Sequence, residues 1–562
     1  MRYKNMKKHK DTPASVTNCD CSSNCSGDYD VVNYENFYEL LKGLYDNYSE
    51  RTAFRFRKNG KETSITYDSL IRQVCNLYYF YQKKNIQNCN IGILSENRYE
   101  YVTIYLSGVF QNVVAPIDRE LSADELAYLI EKFDIKVIFY TDKTKEKLDC
   151  LSDKGIGKDT LRRINIDESY QAISQDHYTP DLFFRDTEHT DSDKFSVLAF
   201  TSGTTGAIKG AMLSQRNVVS NLRAPLLYMH LESPMLQLLP MNHMYGLHPD
   251  LLSPLYNGDT VCLNMALKDI AKDFKYYDPY YIGVVPMMLE GIYKNIIREA
   301  RSRNQEKRFY RLIKISNWLR KRRIDIRRIL FQNLINKRLR IIVCGGAPLD
   351  PVYIDKFDEI GLTVLNGYGM TECSPLISVN RDRNNIRGSA GAVIHETDIR
   401  IAGDGEILVK GQNVMSGYYH DKKETARSFT DGYYKTGDLG YLEDGILYIT
   451  GRKKNLIILK NGKNFSPEAI EQKLLRLPYI KECLVTAETR NAIDVVIAKI
   501  LFTDDADKKD AAGRLKKDLD AINQSLPAYM RIDDYDLVSE AFEKTSTNKI
   551  KRDSGLRKPA AR

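Results

Sequence analysis

The chain lacks any hydrophobic run approaching the ~18 consecutive apolar residues that a membrane-spanning helix needs. Residues 1–12 are basic, but no apolar stretch follows them, so the pattern of a secretory leader is missing. The ten cysteines are mostly scattered, which is typical of a protein kept in a reducing compartment. Together these absences predict a cytoplasmic protein.

A zinc-binding spacing is also lacking, although three cysteines lie close together. Cys19, Cys21 and Cys25 cluster among Asp, Ser and Asn residues, and their spacing fits no common zinc site. We therefore favour a disordered tail over residues 1–31, and the role of the cysteine cluster stays open.

Hydrophobic and charged segments alternate along the chain without an internal repeat. A chain of 562 residues is too long for one hydrophobic core, so several domains are expected. Helical and strand-like segments, among them 37–48, 217–228 and 261–263, alternate from Tyr34 onward, which predicts a layered α/β structure. Short runs at 406–410 and 446–450 indicate a smaller β-rich subdomain. The pattern restarts after Gly451. We predict a large N-terminal α/β domain over 32–450, a hinge at 451–455, a small mobile α+β domain over 456–552 and a tail over 553–562.

Positive charge is concentrated in residues 298–340, within a chain of formal net charge +9. Sixteen lysines and arginines lie there against Glu299, Glu306 and Asp325. Apolar residues recur among them at helical spacing, with Trp318 nearby; they are Leu312, Ile315, Leu319, Ile326 and Ile329. One alternative is a basic amphipathic helix on an anionic membrane surface, at the inner face of the cell membrane. The other is a helix that this stripe docks on its own domain. The region has no basic surface with interleaved aromatic residues on which bases could stack, and no evident helix for contacting base edges. We therefore expect no nucleic-acid partner.

A glycine- and hydroxyl-rich loop follows the apolar run 197–200. Its glycines allow a sharp turn that directs several backbone N–H groups at one anion. Hydroxyl donors and a lysine complete a cradle for polyphosphate; the residues are Thr201, Ser202, Gly203, Thr204, Thr205, Gly206 and Lys209. It is not a Walker A loop, because two residues separate Gly203 from Gly206 and no Gly-Lys-Ser/Thr follows.

Six further motifs follow this loop in order. They are Leu239–Gly246, Gly345–Leu349, Asn366–Glu372, Tyr434–Gly440, Gly451–Lys454 and Lys544–Lys549. With the phosphate loop they resemble the motifs of the adenylate-forming superfamily, which includes acyl-CoA ligases, luciferases and peptide-synthetase adenylation domains. The resemblance covers residues 33–552, and long-chain fatty acid–CoA ligases of bacteria are the most similar group.

The resemblance implies a reaction of a carboxylate with ATP and Mg²⁺ to give an acyl-adenylate. Glu372 and Thr204 are then expected to hold Mg²⁺, with Thr371 beside them. Asp438 is expected to bind the ribose hydroxyls, and Arg452 the ribose or a phosphate. The residues expected around adenine are Gly346, Ala347, Pro348, Asn366, Gly367, Tyr368 and Gly369. Asn548 and Ile208 depart from the family pattern, which has glycine and often proline there.

The resemblance also implies a second step with a thiol. Lys549 is expected to bridge the carboxylate and the α-phosphate in the first step. Rotation about Lys454 then presents a second face of the small domain. Gly462 is expected to line the path of the pantetheine arm of coenzyme A.

The identity of the acid follows less directly. His243 occupies the position of a gate near the acyl pocket, and a structural role is equally open. Domains of this superfamily that activate amino acids have an aspartate near this position to pair with the substrate amine. Here the segment 242–245 has none, the next aspartate is Asp250, and the surrounding residues are apolar. We therefore predict a medium- or long-chain fatty acid transferred to coenzyme A. The alternatives are transfer to the phosphopantetheine of an acyl carrier protein and a non-catalytic nucleotide-binding scaffold.

Overall fold

A computed structural model describes residues 28–58, 60–153, 160–173, 178–202, 208–265, 267–331, 336–459, 463–490, 493–504, 506–543, 550 and 552. It shows a mixed α/β structure with a large N-terminal part and a small C-terminal part. The predicted fold class is confirmed.

The helices lie mostly in the N-terminal part. Their bounds are α1 Phe37–Tyr48, α2 Tyr67–Lys83, α3 Tyr99–Gln111, α4 Ala123–Lys132, α5 Lys145–Asp153, α6 Ile166–Ile173, α7 Pro180–Thr187, α8 Gln215–Arg223, α9 Met244–Leu247, α10 Ser253–Tyr256, α11 Ile270–Tyr277, α12 Pro286–Ser302, α13 Glu306–Arg320, α14 Arg327–Phe331, α15 Pro351–Asp358, α16 Lys422–Ser428, α17 Glu468–Leu475 and α18 Lys508–Gln524.

Strands occur along the whole described chain. Their bounds are β1 Thr52–Lys58, β2 Lys61–Thr66, β3 Asn90–Leu94, β4 Val113–Pro116, β5 Ile135–Tyr140, β6 Arg162–Asn165, β7 Phe195–Ser202, β8 Ile208–Ser214, β9 Met235–Gln237, β10 Val261–Leu263, β11 Tyr281–Val284, β12 Ile341–Cys344, β13 Thr363–Gly369, β14 Leu376–Val379, β15 Gly391–Val393, β16 Thr397–Ile401, β17 Glu406–Gly411, β18 Gly417–Tyr418, β19 Phe429–Thr430, β20 Tyr433–Glu443, β21 Ile446–Arg452, β22 Ile457–Ile458, β23 Asn464–Phe465, β24 Ile480–Arg490, β25 Ile493–Phe502 and β26 Asp534–Leu537.

The largest sheet has the order β16-β17-β20-β21-β15-β14-β13-β12-β11-β9-β10-β1-β2, with β19 paired to β20. Strands β1, β10, β9, β11, β12 and β13 pair in parallel. From β13 to β21 and out to β16 the pairing is antiparallel. The antiparallel half is the β-rich region that the sequence indicates. Parallel strands present their carboxyl ends at one edge, where α/β proteins bind ligands.

A second sheet has the order β18-β8-β7-β4-β3-β5-β6. Its interior strand β3, which pairs in parallel with β4 and β5, is buried along its whole length, as expected for a strand in a parallel sheet covered on both faces. Strands β7 and β8 form an antiparallel hairpin in which Thr201 lies opposite Lys209. The C-terminal part has its own core around β24, β25 and β26, packed against α17 and α18.

Local sequence signals fix several helix starts. Asn36 caps α1 by accepting a hydrogen bond from the backbone N–H of Glu39 at 2.9 Å. Ser122 and Glu125 form a capping box at the start of α4. Segment 217–228, which the sequence shows as one unit, instead divides at residue 224 into α8 and a 3₁₀ turn.

The basic region 298–340 differs from a single amphipathic helix. It contains the end of α12, then α13 and the short α14, with turns between them. Helix α13 docks through Phe309, Ile313 and Ser316, whereas Ile315 and Ile329 of the predicted stripe are exposed. Leu312 of the stripe is partly buried and packs against the same hydrophobic core as Phe309 and Ile313. The stripe therefore docks the helix only in part, because the fully buried face is formed by a different set of residues.

Residues 28–31 belong to the predicted tail, but they contact the N-terminal part. Within the predicted tail, Asp28 donates its backbone N–H to the Leu227 carbonyl at 2.7 Å, and the Tyr29 hydroxyl donates to Asp382 at 2.8 Å. Residues 28–31 therefore pack on the N-terminal part, which is a correction to the predicted boundary.

Among the described residues, none of the helices has the length and apolarity that crossing a bilayer requires.

Candidate active site

The predicted nucleotide-binding motifs meet at the carboxyl end of the parallel strands. Tyr245 joins them, because its hydroxyl donates to the Val343 carbonyl at the end of β12 at 3.0 Å. A Cβ added to Gly345 would lie 3.5 Å from the Tyr245 ring and 3.3 Å from the Gly367 carbonyl oxygen. The ends of β12 and β13 and the first turn of α9 therefore touch one another.

The segment after β12 is open to solvent. Gly346, Ala347 and Pro348 are exposed, and Gly346 has φ +83°, a backbone conformation that glycine adopts without strain. Asn366, Gly367, Tyr368 and Gly369 form the end of β13 and are half-buried. The two segments thus offer an accessible surface with backbone polar groups.

The buried carboxylate of Asp438 lies beside this surface, in contact with a tyrosine and an arginine. The Tyr368 hydroxyl donates to Oδ2 of Asp438 at 2.8 Å, and Arg452 Nε lies 2.7 Å from Oδ1. Burial alone would lower the pKa of Arg452, but Asp438 and the other negative groups raise it. Both Asp438 oxygens already have one partner, so ribose hydroxyls would share them through the remaining lone pairs.

Glu372 lies in a 3₁₀ turn, Thr371–Cys373, directly after β13. It is buried, whereas Thr371 is half-buried. The Tyr418 hydroxyl donates to Glu372 Oε1 at 2.9 Å. Burial raises the pKa of Tyr418 and the Glu372 charge raises it further, so the phenol stays protonated and acts as the donor. A buried carboxylate with one oriented hydrogen bond fits the oxygen ligands that Mg²⁺ prefers.

The lysine of the phosphate loop reaches the same tyrosine. Lys209 Nζ lies 5.0 Å from the centroid of the Tyr418 ring and forms an ion pair with Glu424 of α16. Lys209 lies in β8, and Thr201 and Ser202 lie in β7. The loop predicted over 201–209 is therefore shorter than expected, because both of its ends belong to strands. Gly203, Thr204, Thr205 and Gly206 lie outside the described residues.

His243 precedes α9 and is half-buried. Two titratable residues of this region, His248 and Asp250, are instead buried. His248 contacts the Tyr105 hydroxyl at 2.9 Å and the Ser374 carbonyl at 3.0 Å, and burial lowers its pKa to about 4. Burial raises the pKa of Asp250 to about 8, which keeps it largely protonated at neutral pH.

An ion pair links the C-terminal part to the site region. Arg476 follows α17, and its Nε and Nη2 lie 2.7 and 2.8 Å from the two oxygens of Asp350, which caps α15. Farther along, Arg552 Nη2 lies 2.6 Å from Glu471 Oε2 of α17. Lys454 lies in an exposed 3₁₀ turn, Lys453–Asn455. Gly462 and Lys549 lie outside the described residues.

Sequence reasoning missed Tyr418, Glu424 and Arg476. Tyr418 lies within a Gly-Tyr-Tyr run and Glu424 follows that run, which carries no distinctive spacing. Nothing in the sequence links them to Lys209 or Glu372, since folding alone brings these positions together.

Comparison with known proteins agrees with this geometry. The AMP-binding enzyme family matches residues 45–419, and the AMP-binding enzyme C-terminal domain matches residues 454–561. The chain belongs to the AMP-binding enzyme family. It is accordingly an adenylate-forming acid–thiol ligase, which removes the scaffold alternative.

Relatives of differing specificity resemble the chain. Long-chain-fatty-acid–CoA ligase FadD15 of Mycobacterium bovis is 27% identical over 442 residues, 72% of each chain. The 2-succinylbenzoate–CoA ligase of Listeria monocytogenes is 26% identical over 82% of this chain and 87% of its own. A chloroplastic long-chain-fatty-acid–[acyl-carrier-protein] ligase of Arabidopsis thaliana is 27% identical over 55% of this chain and 51% of its own.

A solved structure shares the fold. O-succinylbenzoate coenzyme A synthetase from Bacillus subtilis, in complex with ATP and magnesium ion, superposes with a TM-score of 0.71 at 22% identity. The match covers 92% of this chain and 98% of that one. This likeness extends over both the N-terminal and the C-terminal parts.

Proposed function

We propose that this enzyme activates a medium- or long-chain fatty acid with ATP and transfers the acyl group to coenzyme A. In the first step the carboxylate oxygen attacks the α-phosphorus, and the bond to pyrophosphate breaks. In the second step the thiolate of coenzyme A attacks the acyl carbon, and AMP leaves. The proposal rests on one observation: Lys209 and Glu372 both contact Tyr418.

The first step brings anions together, so neutralising and aligning charge is the main task of the residues. Lys209 is suited to the outer phosphates once ATP replaces its partner Glu424. Glu372, with Thr204 from the loop, would hold Mg²⁺, which neutralises phosphate charge. Tyr418 orients the Glu372 carboxylate for that purpose through its hydrogen bond.

The nucleoside would bind next to these groups. Tyr368 and the exposed segment 346–348 offer surfaces for adenine, and Asp438 offers acceptors for the ribose hydroxyls. Arg452 holds Asp438 in place at 2.7 Å and adds positive charge near the phosphates. Lys549, brought by the C-terminal part, is proposed to bridge the two reacting groups.

Burial and charge near α9 support an acid without an amine. Asp250 is wholly buried and its pKa is raised to about 8, so it is not placed to pair with a substrate ammonium group. Met244, Leu247 and Leu251, which are near Asp250 in sequence, are buried apolar residues, while Met287 is exposed. The FadD15 relative acts on long-chain fatty acids, which favours a hydrocarbon tail.

Transfer to an acyl carrier protein is the second candidate. The Arabidopsis relative is named for that acceptor, and both acceptors end in the same pantetheine thiol.

We further propose a cytoplasmic location. The described cysteines are free thiols, five of the seven being buried, which suits a reducing compartment.

A pyrophosphate-exchange screen tests the proposal. The panel holds fatty acids of increasing chain length, o-succinylbenzoate and amino acids, each with ATP and Mg²⁺. We expect exchange to be fastest with a medium- or long-chain fatty acid. Fastest exchange with o-succinylbenzoate or an amino acid would contradict the assignment of the acid.

The acceptor is tested in the same reaction by adding either coenzyme A or a holo acyl carrier protein. We expect thioester with coenzyme A to form at least tenfold faster. Preference for the carrier protein would select the second candidate. Glu372→Gln, which removes the negative charge, serves as the inactive control for every acid.

A further inference from the structure

Helix α13 presents two different faces. Phe309 and Ile313 are buried against the N-terminal part. At 3.6 residues per turn, the opposite face holds Lys307, Arg311, Lys314, Ile315 and Trp318, all of them exposed. We call these five residues, with Arg322, the basic-aromatic face. It includes the one tryptophan of the chain.

Large apolar side chains remain outside on this face and beside it. Trp318 is 55% exposed and Ile315 is 44% exposed, and Ile324 and Ile329 nearby are 49% and 69% exposed. The Arg322 guanidinium lies 3.5 Å from the centroid of the Trp318 ring. An apolar group of this size among cations marks an interaction surface rather than ordinary solvated surface.

The cations of the face differ from their neighbours in pairing. Arg301, Arg303, Arg320 and Arg327 each form an ion pair with a carboxylate. Within the part of the chain that the structure describes, no carboxylate lies within 4 Å of the charged groups of Lys307, Arg311, Lys314 or Arg322. The face therefore keeps its positive charge for an external partner.

We propose that the basic-aromatic face docks this protein on an anionic lipid bilayer. Lysine and arginine attract anionic headgroups, and an exposed tryptophan is favourable at the depth where headgroups meet acyl chains. A helix lying in the plane of the interface uses this combination of a charged rim and large apolar side chains. An acidic protein surface would satisfy the cations but would leave the exposed isoleucines without an apolar environment.

Trp318 is itself the probe for this proposal. The full-length protein is mixed with vesicles of phosphatidylcholine alone, or of phosphatidylcholine with phosphatidylglycerol, and the tryptophan emission is recorded. We expect emission to shift to shorter wavelength with anionic vesicles, and brominated acyl chains to quench it. No substrate is present, so the outcome is independent of the proposed enzymatic function.

Matched charge reversals test the role of the cations. Arg311→Glu with Lys314→Glu should weaken binding to anionic vesicles on the order of tenfold or more. The control reverses Lys516 and Lys517, which are exposed on α18, and makes the same change in net charge. Trp318→Ser leaves the charge unchanged and should also weaken co-sedimentation with anionic vesicles. Thermal unfolding of each variant checks that it remains folded.

Three results would overturn the proposal. The first is co-sedimentation with anionic vesicles without any change or quenching of Trp318 emission, because another face would then bind. The second is an equal loss of binding in the α18 control. The third is an emission shift with an acidic carrier protein or DNA but not with anionic vesicles, since the partner would then be another macromolecule.

Discussion

The hydroxyl of Tyr418 donates to Oε1 of Glu372 at 2.9 Å, while Lys209 Nζ lies 5.0 Å from the centroid of the same ring. One side chain thus fixes the position of an anion and a cation that are 163 residues apart in sequence (372 − 209). Removal of either contact is therefore expected to affect the other.

We predict that Tyr418→Phe lowers adenylate formation by roughly tenfold, because a hydrogen bond to a charged group contributes about 1.5–3 kcal/mol. The Mg²⁺ concentration for half-maximal rate should rise, since Glu372 loses its orienting donor. Pyrophosphate exchange measured over a Mg²⁺ titration checks both effects. Tyr419→Phe is the control; its hydroxyl accepts from Asn90 instead. Unchanged Mg²⁺ dependence would show that Tyr418 does not act through Glu372.

Lys549→Ala should reduce adenylate formation by ~10²–10³-fold, the effect of losing one preorganised charge donor. Thioester formation from a supplied acyl-adenylate should persist, because the lysine is proposed for the first step only. Lys551→Ala is the neighbouring control. Near-normal pyrophosphate exchange in Lys549→Ala would remove this lysine from the mechanism.

The ion pair between Arg476 and Asp350 should bias the orientation of the C-terminal part. Arg476→Ala is expected to move the rates of the two half-reactions in opposite directions, by up to about fivefold, since exposed pairs contribute up to about 1 kcal/mol. Asp350→Asn should do the same. Lys473→Ala is the control, because Lys473 contacts Ser525 within the C-terminal part. An equal fall in both rates would mean that the pair affects only stability.

Asp250 should make stability depend on pH. Its pKa is about 8 in the folded protein and 3.8 as a free group, so between these values the folded state binds more protons. Stability is then greatest below pH 4 from this group alone, and it falls as pH rises towards 8. His248, with pKa lowered to about 4, is neutral in both states above pH 7 and does not contribute there.

We expect Asp250→Asn to remove this dependence. Relative to the variant, the wild type should lose about 1 kcal/mol of unfolding free energy between pH 7 and pH 8. Chemical denaturation of both proteins at several pH values measures the difference. Parallel curves for the two proteins over this range would contradict the raised pKa.

Much of the fold follows from hydrophobic runs. The short run 261–263 is the predicted and observed strand β10, and residues 37–48, a predicted helical segment, are α1. The motifs also lead to the proposed nucleotide site, because the glycine-rich ends of β12 and β13, near Gly346 and Tyr368, lie close together. These features are local, so a sequence carries them directly.

Contacts between distant segments were not predictable. Lys209 lies in a strand and pairs with Glu424, and no spacing reveals that partner. The inward face of α13 was also missed, since Leu312 and Ile315, three residues apart, suit a helical stripe as well as Phe309 and Ile313, four residues apart. Only packing against the domain decides which of two apolar sets turns inward.

Arg552, described above at 2.6 Å from Glu471, also has a practical meaning. This ion pair attaches the segment just after the lysine motif to helix α17 of the C-terminal part. Any polypeptide fused after this arginine, such as a purification tag, would load an ion pair that lies only three residues after Lys549 in the sequence (552 − 549). For kinetic measurements a tag is therefore better placed at the N-terminus.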